Sequence, residues 1–159
     1  MGKQPKATGG GAIEFDLSGH LPHLLRRAHF EAEARFPETY GDAATSRQLA
    51  LLVAVAQAPG ASQREVAHQI GLDPNTCSDL VRRTVAKGWL RRSQSPGDGR
   101  AYRLDLTAAG AALVRTTALP LAQAYTAQVA SRLSPTQQRQ LVVLLRKMLN
   151  LHTPPVEID

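Results

Sequence analysis

The segment SQREVAHQIGLDPNTCSDLVRRTVAKG, residues 62–88, carries three punctuation marks that agree with one another. Ser62 followed by Glu65 is a capping box, in which hydroxyl and carboxylate satisfy amides left orphaned at a helix start. The helix that follows is short: Val66, Ala67 and Ile70 face inward, Gly71 ends it and Leu72 plugs the turn. Asp73 then caps a second helix whose first residue, Pro74, has no amide to lose. That helix runs to about Lys87, with Leu80, Val81, Thr84 and Val85 toward a core and Gly88 as its stop. Two short helices joined by a Gly-Leu-Asp-Pro turn make a helix-turn-helix. The bland alternative is a helical hairpin inside an ordinary core.

Charge gathers where this motif ends. Between Arg82 and Arg103 stand Arg82, Arg83, Lys87, Arg91, Arg92, Arg100 and Arg103 against one acid, Asp98, a formal +6. The whole chain is also +6, so the remainder sums to zero. Positive charge concentrated on one segment of an otherwise neutral chain fits a polyanion, because neutralising phosphates releases counterions. A merely solvated basic face is the competing reading.

Outward from this centre, Trp89 and Leu90 begin an extended run through Arg91 and Arg92 to Gln94, and Ser95 to Gly99 form a dense turn cluster. Tyr102, Leu104 and Leu106 alternate with Arg103 and Asp105, the pattern of a strand, so the pair predicts a β-hairpin wing with a basic tip. Thr107 caps a long helix from Ala108 to about Arg132, kinked at Pro120. Ser134-Pro135 restarts a last helix with Gln137 completing a capping box and an apolar face of Leu141, Leu144, Leu145, Met148 and Leu149. Upstream, Leu17, Leu21, Leu24, Leu25, Ala28, Ala32 and Phe36 recur at helical spacing, with Asp16 or Ser18 as cap, Pro22 in the first turns and Pro37 as the stop. A second helix spans about Thr45 to Ala58, with Leu49, Leu52, Val53 and Ala56 inward and Pro59-Gly60 ending it.

The length suits one domain, or a binding lobe with an oligomerisation lobe. Apolar runs such as Leu49 to Ala56 are too short to span a bilayer, so no membrane is expected. No apolar leader is expected, and Lys6 stands where a myristoylation site needs Ser or Thr. A single cysteine, Cys77, excludes an intrachain disulfide and suits a reducing cytoplasm, in a bacterial or archaeal nucleoid. There is no nucleophile elbow, phosphate loop or metal-protease motif, so an enzyme and a catalytic cofactor are not expected.

From about Leu17 to Leu151 this order of elements resembles the MarR (multiple antibiotic resistance regulator) family of winged-helix transcription factors. The residues that carry the resemblance are the recognition helix, the exit Lys87-Gly88-Trp89-Leu90, the tip Asp98-x-Arg100 and the junction Leu104-x-Leu106-Thr107-x-x-Gly110. It implies a mainly α (α+β) fold, a winged helix-turn-helix with an intertwined helical dimerisation region. The expected division is a flexible tail at 1–14, a dimerisation region at 15–44 and 108–152, a DNA-binding domain at 45–107 and a frayed end at 153–159. The implied partners are a second copy and pseudo-palindromic double-stranded DNA, with recognition helices about 34 Å apart.

With Leu80, Val81, Thr84 and Val85 inward, the groove-facing side of the recognition helix is Asn75, Thr76, Ser78, Asp79, Arg82 and Arg83. Asn and Arg can read adenine and guanine edges, and Asp can accept from cytosine. Asp79 departs from the family's pattern; it either reads cytosine or, the preferred reading, pairs with Arg82 or Arg83 along the helix. Ser62 and Gln63 suit phosphates. Arg100 is the candidate for the minor groove, with Asp98 supporting it as the resemblance implies.

The resemblance also implies a small-molecule effector, often an anionic aromatic, in a crevice between the dimer base and the winged lobe. His20, His23, Arg26, Arg27 and Phe30 on the first helix, with Arg47 opening the second, could line it for an aromatic carboxylate or its coenzyme A thioester. Equally, they could be the polar face of an amphipathic helix. A zinc site from His20, His23, His29 and Glu33 and a redox switch at Cys77 are weaker readings, since cysteine ligands and a resolving cysteine are absent. The expected function is a repressor released from its operator by such a ligand; the alternative is an architectural DNA-binding protein with no ligand.

Overall fold

The computed structural model describes residues 15–95 and 98–151, with residues 98–100 described by their backbone alone. A 3-10 turn, Leu17–Gly19, leads into α1 (Leu21–Tyr40), α2 (Ser46–Gln57), α3 (Gln63–Gln69) and α4 (Pro74–Ala86). The hairpin β1 (Leu90–Ser95) and β2 (Asp98–Leu106) follows, then α5 (Ala108–Leu113), a π turn (Val114–Ala118), α6 (Leu119–Val129) and α7 (Pro135–Met148). The fold is thus mainly helical with one two-stranded antiparallel sheet.

Local chemistry places the helix ends. Ser62 and Ser134 head the two expected capping boxes, and Thr45 with Gln48 forms a third at the start of α2. Gly71 (φ +68°) and Gly88 (φ +74°) adopt the left-handed conformation that glycine enters without steric cost. At both, the next amide reaches back five residues: Leu72 to Ala67 O at 2.9 Å and Trp89 to Thr84 O at 3.3 Å. These closures turn the chain sharply and set the α3–α4 and α4–β1 angles.

The core gathers around α2, where Leu51, Leu52 and Val55 are almost inaccessible and meet Val66, Leu80, Val81, Leu90 and Leu104. Each such side chain contributes about 1.5–3 kcal/mol through burial. The same cluster includes Phe36 of α1 and Val114 and Ala118 of the π turn, so one continuous core crosses the boundaries expected at 44/45 and 107/108. Leu104 N donates to Ala61 O at 3.1 Å and Ser62 bridges Arg103, so the wing is tied to the entrance of α3.

Several expectations are corrected. Pro37 does not stop α1: the helix carries it internally and runs on to Tyr40. The extra turn is held from outside, by Tyr40 Oη donating to Ala118 O at 3.3 Å and by Phe36, Tyr40 and Tyr125 packing ring on ring. Asp16 caps the 3-10 turn, not α1, whose own cap position is His20 with no side-chain bond. Ala56 is exposed while Leu51, Ala54 and Val55 are buried, because α2 is surrounded on more than one face. In α4 Val85 is 37% exposed and Cys77 takes an inward position with no exposure. β2 begins at Asp98, inside the expected turn cluster, and the register shifts between Gln94 and Ser95. The long helix expected from Ala108 to about Arg132 breaks into α5, the π turn and α6, which ends at Val129; Pro120, in the first turn of α6, has no amide to offer a preceding carbonyl, and the wider π turn sits directly before it.

Candidate nucleic-acid interface

Asp73 fixes the start of α4 by accepting from the amides of Asn75 and Thr76, both at 3.0 Å. The hydroxyl of Thr76, then its amide, hold the Asp73 carboxyl below the ordinary range, with help from Asn75. At α3 the same logic applies: Ser62 donates its amide to Glu65 at 2.8 Å, and this bond holds the Glu65 carboxyl low. Both helix starts are therefore rigid platforms whose remaining polar atoms can face a partner.

Of the residues expected in the groove, Asn75, Asp79, Arg82 and Arg83 are exposed, and Thr76 and Ser78 are half-buried. Asp79 engages both arginines, its carboxylate 3.2 Å from Arg82 Nη2 and its carbonyl accepting from Arg83 Nε at 3.3 Å. The Asp79–Arg82 pair is open to solvent, so it holds Arg82 only weakly. Ser62 and Gln63 stand half-buried at the head of α3. Asp98 and Arg100 lie in the strand, and their side chains fall outside the described residues.

The remaining cations divide by what they touch. Arg91 is 4.0 Å from Asp105, Arg92 stacks 3.5 Å over the ring of Tyr102, and Arg103 Nε donates to Ser95 Oγ at 3.2 Å. Lys87 turns away from the recognition surface: its Nζ donates to Ala43 O at 2.7 Å and to Gln48 Oε1 at 3.4 Å, and sits 4.6 Å from the Trp89 ring. It ties the end of α4 to the start of α2, a role that charge counting does not reveal.

A cleft of about 710 Å³ separates α3 and the head of α4 from β2, lined by Ser62, Gln63, Arg64, His68 and Tyr102, with Cys77 at its floor. Arg64 and His68 are one helical turn apart on this face. They were missed because they lie outside the basic stretch. Burial, then the Asp73 carboxylate, pushes the Cys77 thiol up, away from the reactive thiolate.

A second cavity, about 550 Å³, lies between α1, α2 and α6. Among the described residues lining it are Glu33, Tyr40, Ser46, Val53 and Tyr125, and none of the six expected ligand residues. His20, Arg26, Arg27 and Phe30 are exposed along the first half of α1, and Arg47 is exposed beside Ser46. His23 accepts at Nδ1 from Arg26 Nη2 at 3.1 Å; loss of hydration, then the charges of Arg26 and Arg27, hold its imidazole below the ordinary value. Glu33 was legible only in part: it stands three residues after Phe30 and seven after Arg26, hence on their side of the helix. Among the described residues no three His, Cys, Asp or Glu side chains converge as a metal site, and no helix is long and apolar enough to cross a membrane.

A capped helix-turn-helix braced by a β-hairpin and followed by long helices defines the winged-helix DNA-binding regulators. Residues 45–101 match the model of the MarR family. The chain is 30% identical over 137 residues to the transcriptional repressor NicR of Pseudomonas putida, covering 86% of each. Its fold matches the PcaV regulator of Streptomyces coelicolor, solved in complex with its natural ligand, with a TM-score of 0.80, 28% identity and coverage of 87% of this chain and 98% of that one. BpsR of Bordetella bronchiseptica, whose DNA binding is regulated by 6-hydroxynicotinic acid, matches with a TM-score of 0.74, 32% identity and coverage of 80% and 97%. The chain belongs to the MarR family and is a transcriptional regulator of that type.

Proposed function

We propose that this chain is a homodimeric repressor that occupies a pseudo-palindromic operator and is released by a small anionic aromatic ligand, an aromatic carboxylate or its coenzyme A thioester. The observation that carries the reading is the 550 Å³ cavity wedged between α2, the centre of the winged lobe, and α1 with α6. A ligand there bears on the angle between the winged lobe and the helices that lead away from it. The names of NicR, a repressor, and of BpsR, regulated by an aromatic acid, support it.

Dimerisation is supported by uncovered apolar faces. Leu21 and Leu24 of α1 and Leu141, Leu144, Met148 and Leu149 around α7 are all more than two-fifths exposed, too large a stripe for a solvated surface. A two-fold partner covers the same face on both chains. The DNA side is then Asn75, Thr76, Ser78, Asp79, Arg82 and Arg83 in the major groove, Ser62 and Gln63 at phosphates, and Arg100 in the minor groove, supported by Asp98. In this arrangement Arg26, Arg27 and Arg47 supply positive charge beside the effector crevice and Phe30 an aromatic face, with His20 and His23 further along α1. Release needs only that the ligand prefer a lobe spacing that mismatches the two half-sites.

The test is a fluorescence-anisotropy titration at fixed salt with operator and random duplexes, with and without 6-hydroxynicotinate or 4-hydroxybenzoate, alongside light scattering for mass. The expected result is a dimer that prefers its palindrome by about 10³-fold or more and loses at least tenfold in affinity with ligand. Equal affinity for both duplexes, unaffected by ligand, would favour the architectural alternative.

A further inference from the structure

Resting on that reading, we propose that Glu33 selects the effector: its carboxylate accepts a hydrogen from a hydroxyl or ring N–H on the aromatic ligand. The cavity therefore takes hydroxylated aromatic acids and discriminates against the same acids without that donor. Glu33 is the only charged side chain lining the cavity among the described residues, and it is an acid. A ligand carboxylate cannot lie against it, so an anionic ring must enter with the opposite end toward Glu33.

The polar groups around the cavity decide what that end must be. Tyr125 Oη donates to Ala32 O at 2.7 Å and Tyr40 Oη to Ala118 O at 3.3 Å, so both phenols have spent their hydrogens on the main chain. Gln69 donates to Gln57 Oε1 at 2.9 Å, pairing the two amides at the far wall. Glu33 receives one hydrogen, from Ser46 Oγ, shared between its oxygens at 2.7 and 2.9 Å. An ionised carboxylate offers about four lone-pair sites, so most of its acceptor capacity is open toward the cavity. The Ser46 bond also orients it, tying α1 to the first turn of α2.

Orientation of the ligand's other end follows from helix geometry. Arg26 lies seven residues before Glu33, two turns along the same face, about 10 Å away at 1.5 Å per residue, with Phe30 between. With its donor on Glu33, a ring in the cavity turns its carboxylate away from that wall; Arg26 and Phe30 do not line the cavity and meet the ligand only where it projects past Glu33 toward the head of α1. Arg26 is exposed and bonded to His23 Nδ1 at 3.1 Å, and Phe30 is exposed beside the His29 ring.

Isothermal titration of 4-hydroxybenzoate, benzoate and tyramine against the whole protein tests this, in the wild type and in Glu33→Leu and Glu33→Gln. The wild type should bind 4-hydroxybenzoate at least tenfold more tightly than benzoate. Glu33→Leu should bring the two acids within about threefold, by weakening the hydroxylated one and leaving benzoate equal or tighter. Glu33→Gln keeps an acceptor and a bond to Ser46, and should fall between; it serves if the leucine variant melts early. A structural tie alone would weaken both acids alike, which overturns the proposal. So would equal binding of both acids by the wild type with operator release intact, which leaves the proposed function standing. Tyramine binding more tightly than 4-hydroxybenzoate would recast Glu33 as a counter-ion for an amine and overturns it too. Failure of both acids to bind at millimolar concentration overturns this inference together with the proposed function.

Discussion

Gly110→Ala should destabilise the protein, although helix propensity alone says the reverse. Gly110 is the third residue of α5, and alanine there would favour the helix by about 1 kcal/mol. A Cβ at this position, however, would stand 2.0 Å from the carbonyl oxygen of Trp89, 2.9 Å from its carbon and 3.3 Å from its Cα. Relief needs a movement of roughly 1 Å, since such contacts rarely close below about 3 Å. The Trp89 segment is not free to give it. Its carbonyl accepts from Thr107 N at 3.2 Å, Thr107 Oγ1 donates to Gly88 O at 2.6 Å, and Leu90 next to it is buried in the core. Overpacking of this kind costs about 1–3 kcal/mol, and a lost hydrogen bond about 1 kcal/mol more. Set against the propensity gain, the net loss is roughly 2 kcal/mol, or about 4–8 °C in melting temperature for a chain of this size. Circular-dichroism melts at one fixed concentration measure it, because association makes melting concentration-dependent. As a control for propensity, Ala109→Gly, at an exposed position one residue earlier, should cost only about 1 kcal/mol. A Gly110→Ala protein as stable as the wild type, or more so, would refute the packing argument.

Arg82→Ala should weaken operator binding about 5- to 150-fold, the ~1–3 kcal/mol of a base contact, while its exposed pair with Asp79 contributes less than about 1 kcal/mol to folding. Anisotropy and melting measure the two; an equal loss on random duplex would make Arg82 a phosphate contact. Cys77, fully buried with its thiol pushed up, should react with a disulfide reagent orders of magnitude more slowly in the native protein than in denaturant. Rapid native labelling accompanied by loss of DNA binding would revive the redox-sensor reading. The Asp73 carboxyl is depressed on folding, so its stabilisation is complete above its unfolded value near about pH 4 and is lost as pH falls through the folded one. Asp73→Asn still caps but has no charge to lose, and its melting temperature should fall less than that of the wild type between about pH 5 and pH 2.5; an equal fall would show that other carboxylates, such as Glu65, carry the acid sensitivity.

The local grammar of this chain was written in its residues. Capping boxes at Ser62 and Ser134, the Asp73-Pro74 restart and the glycine closures at Gly71 and Gly88 all act within one or two turns, so their physics is complete in the sequence. Alternation in β2 and the charge between Arg82 and Arg103 are equally local, and they gave the wing and the nucleic-acid reading. Even the intrahelical pairing of Asp79 followed from a spacing of three residues.

What depended on long-range packing was decided only by tertiary structure. Nothing near Pro37 in sequence says that Tyr40 will dock on Ala118 and Tyr125, and that docking carries α1 through the proline. Periodicity could not choose between Cys77 and Val85 for the core, because α4 meets α3 on one side and the wing base on another. Lys87 counted as one cation among seven until its ammonium was found on Ala43 and Gln48. Glu33 is the sharpest case: from sequence it is one acid on a polar helix face, and α2 and α6 make it the charged wall of a cavity. The sequence by itself determined the helix-turn-helix, the wing and the capped helix starts at Ser62, Asp73 and Ser134, because caps, turns and periodicities are short-range. The fold decided which of those residues share a cavity, because that depends on contacts between helices some ninety residues apart, as between Tyr125 and Ala32.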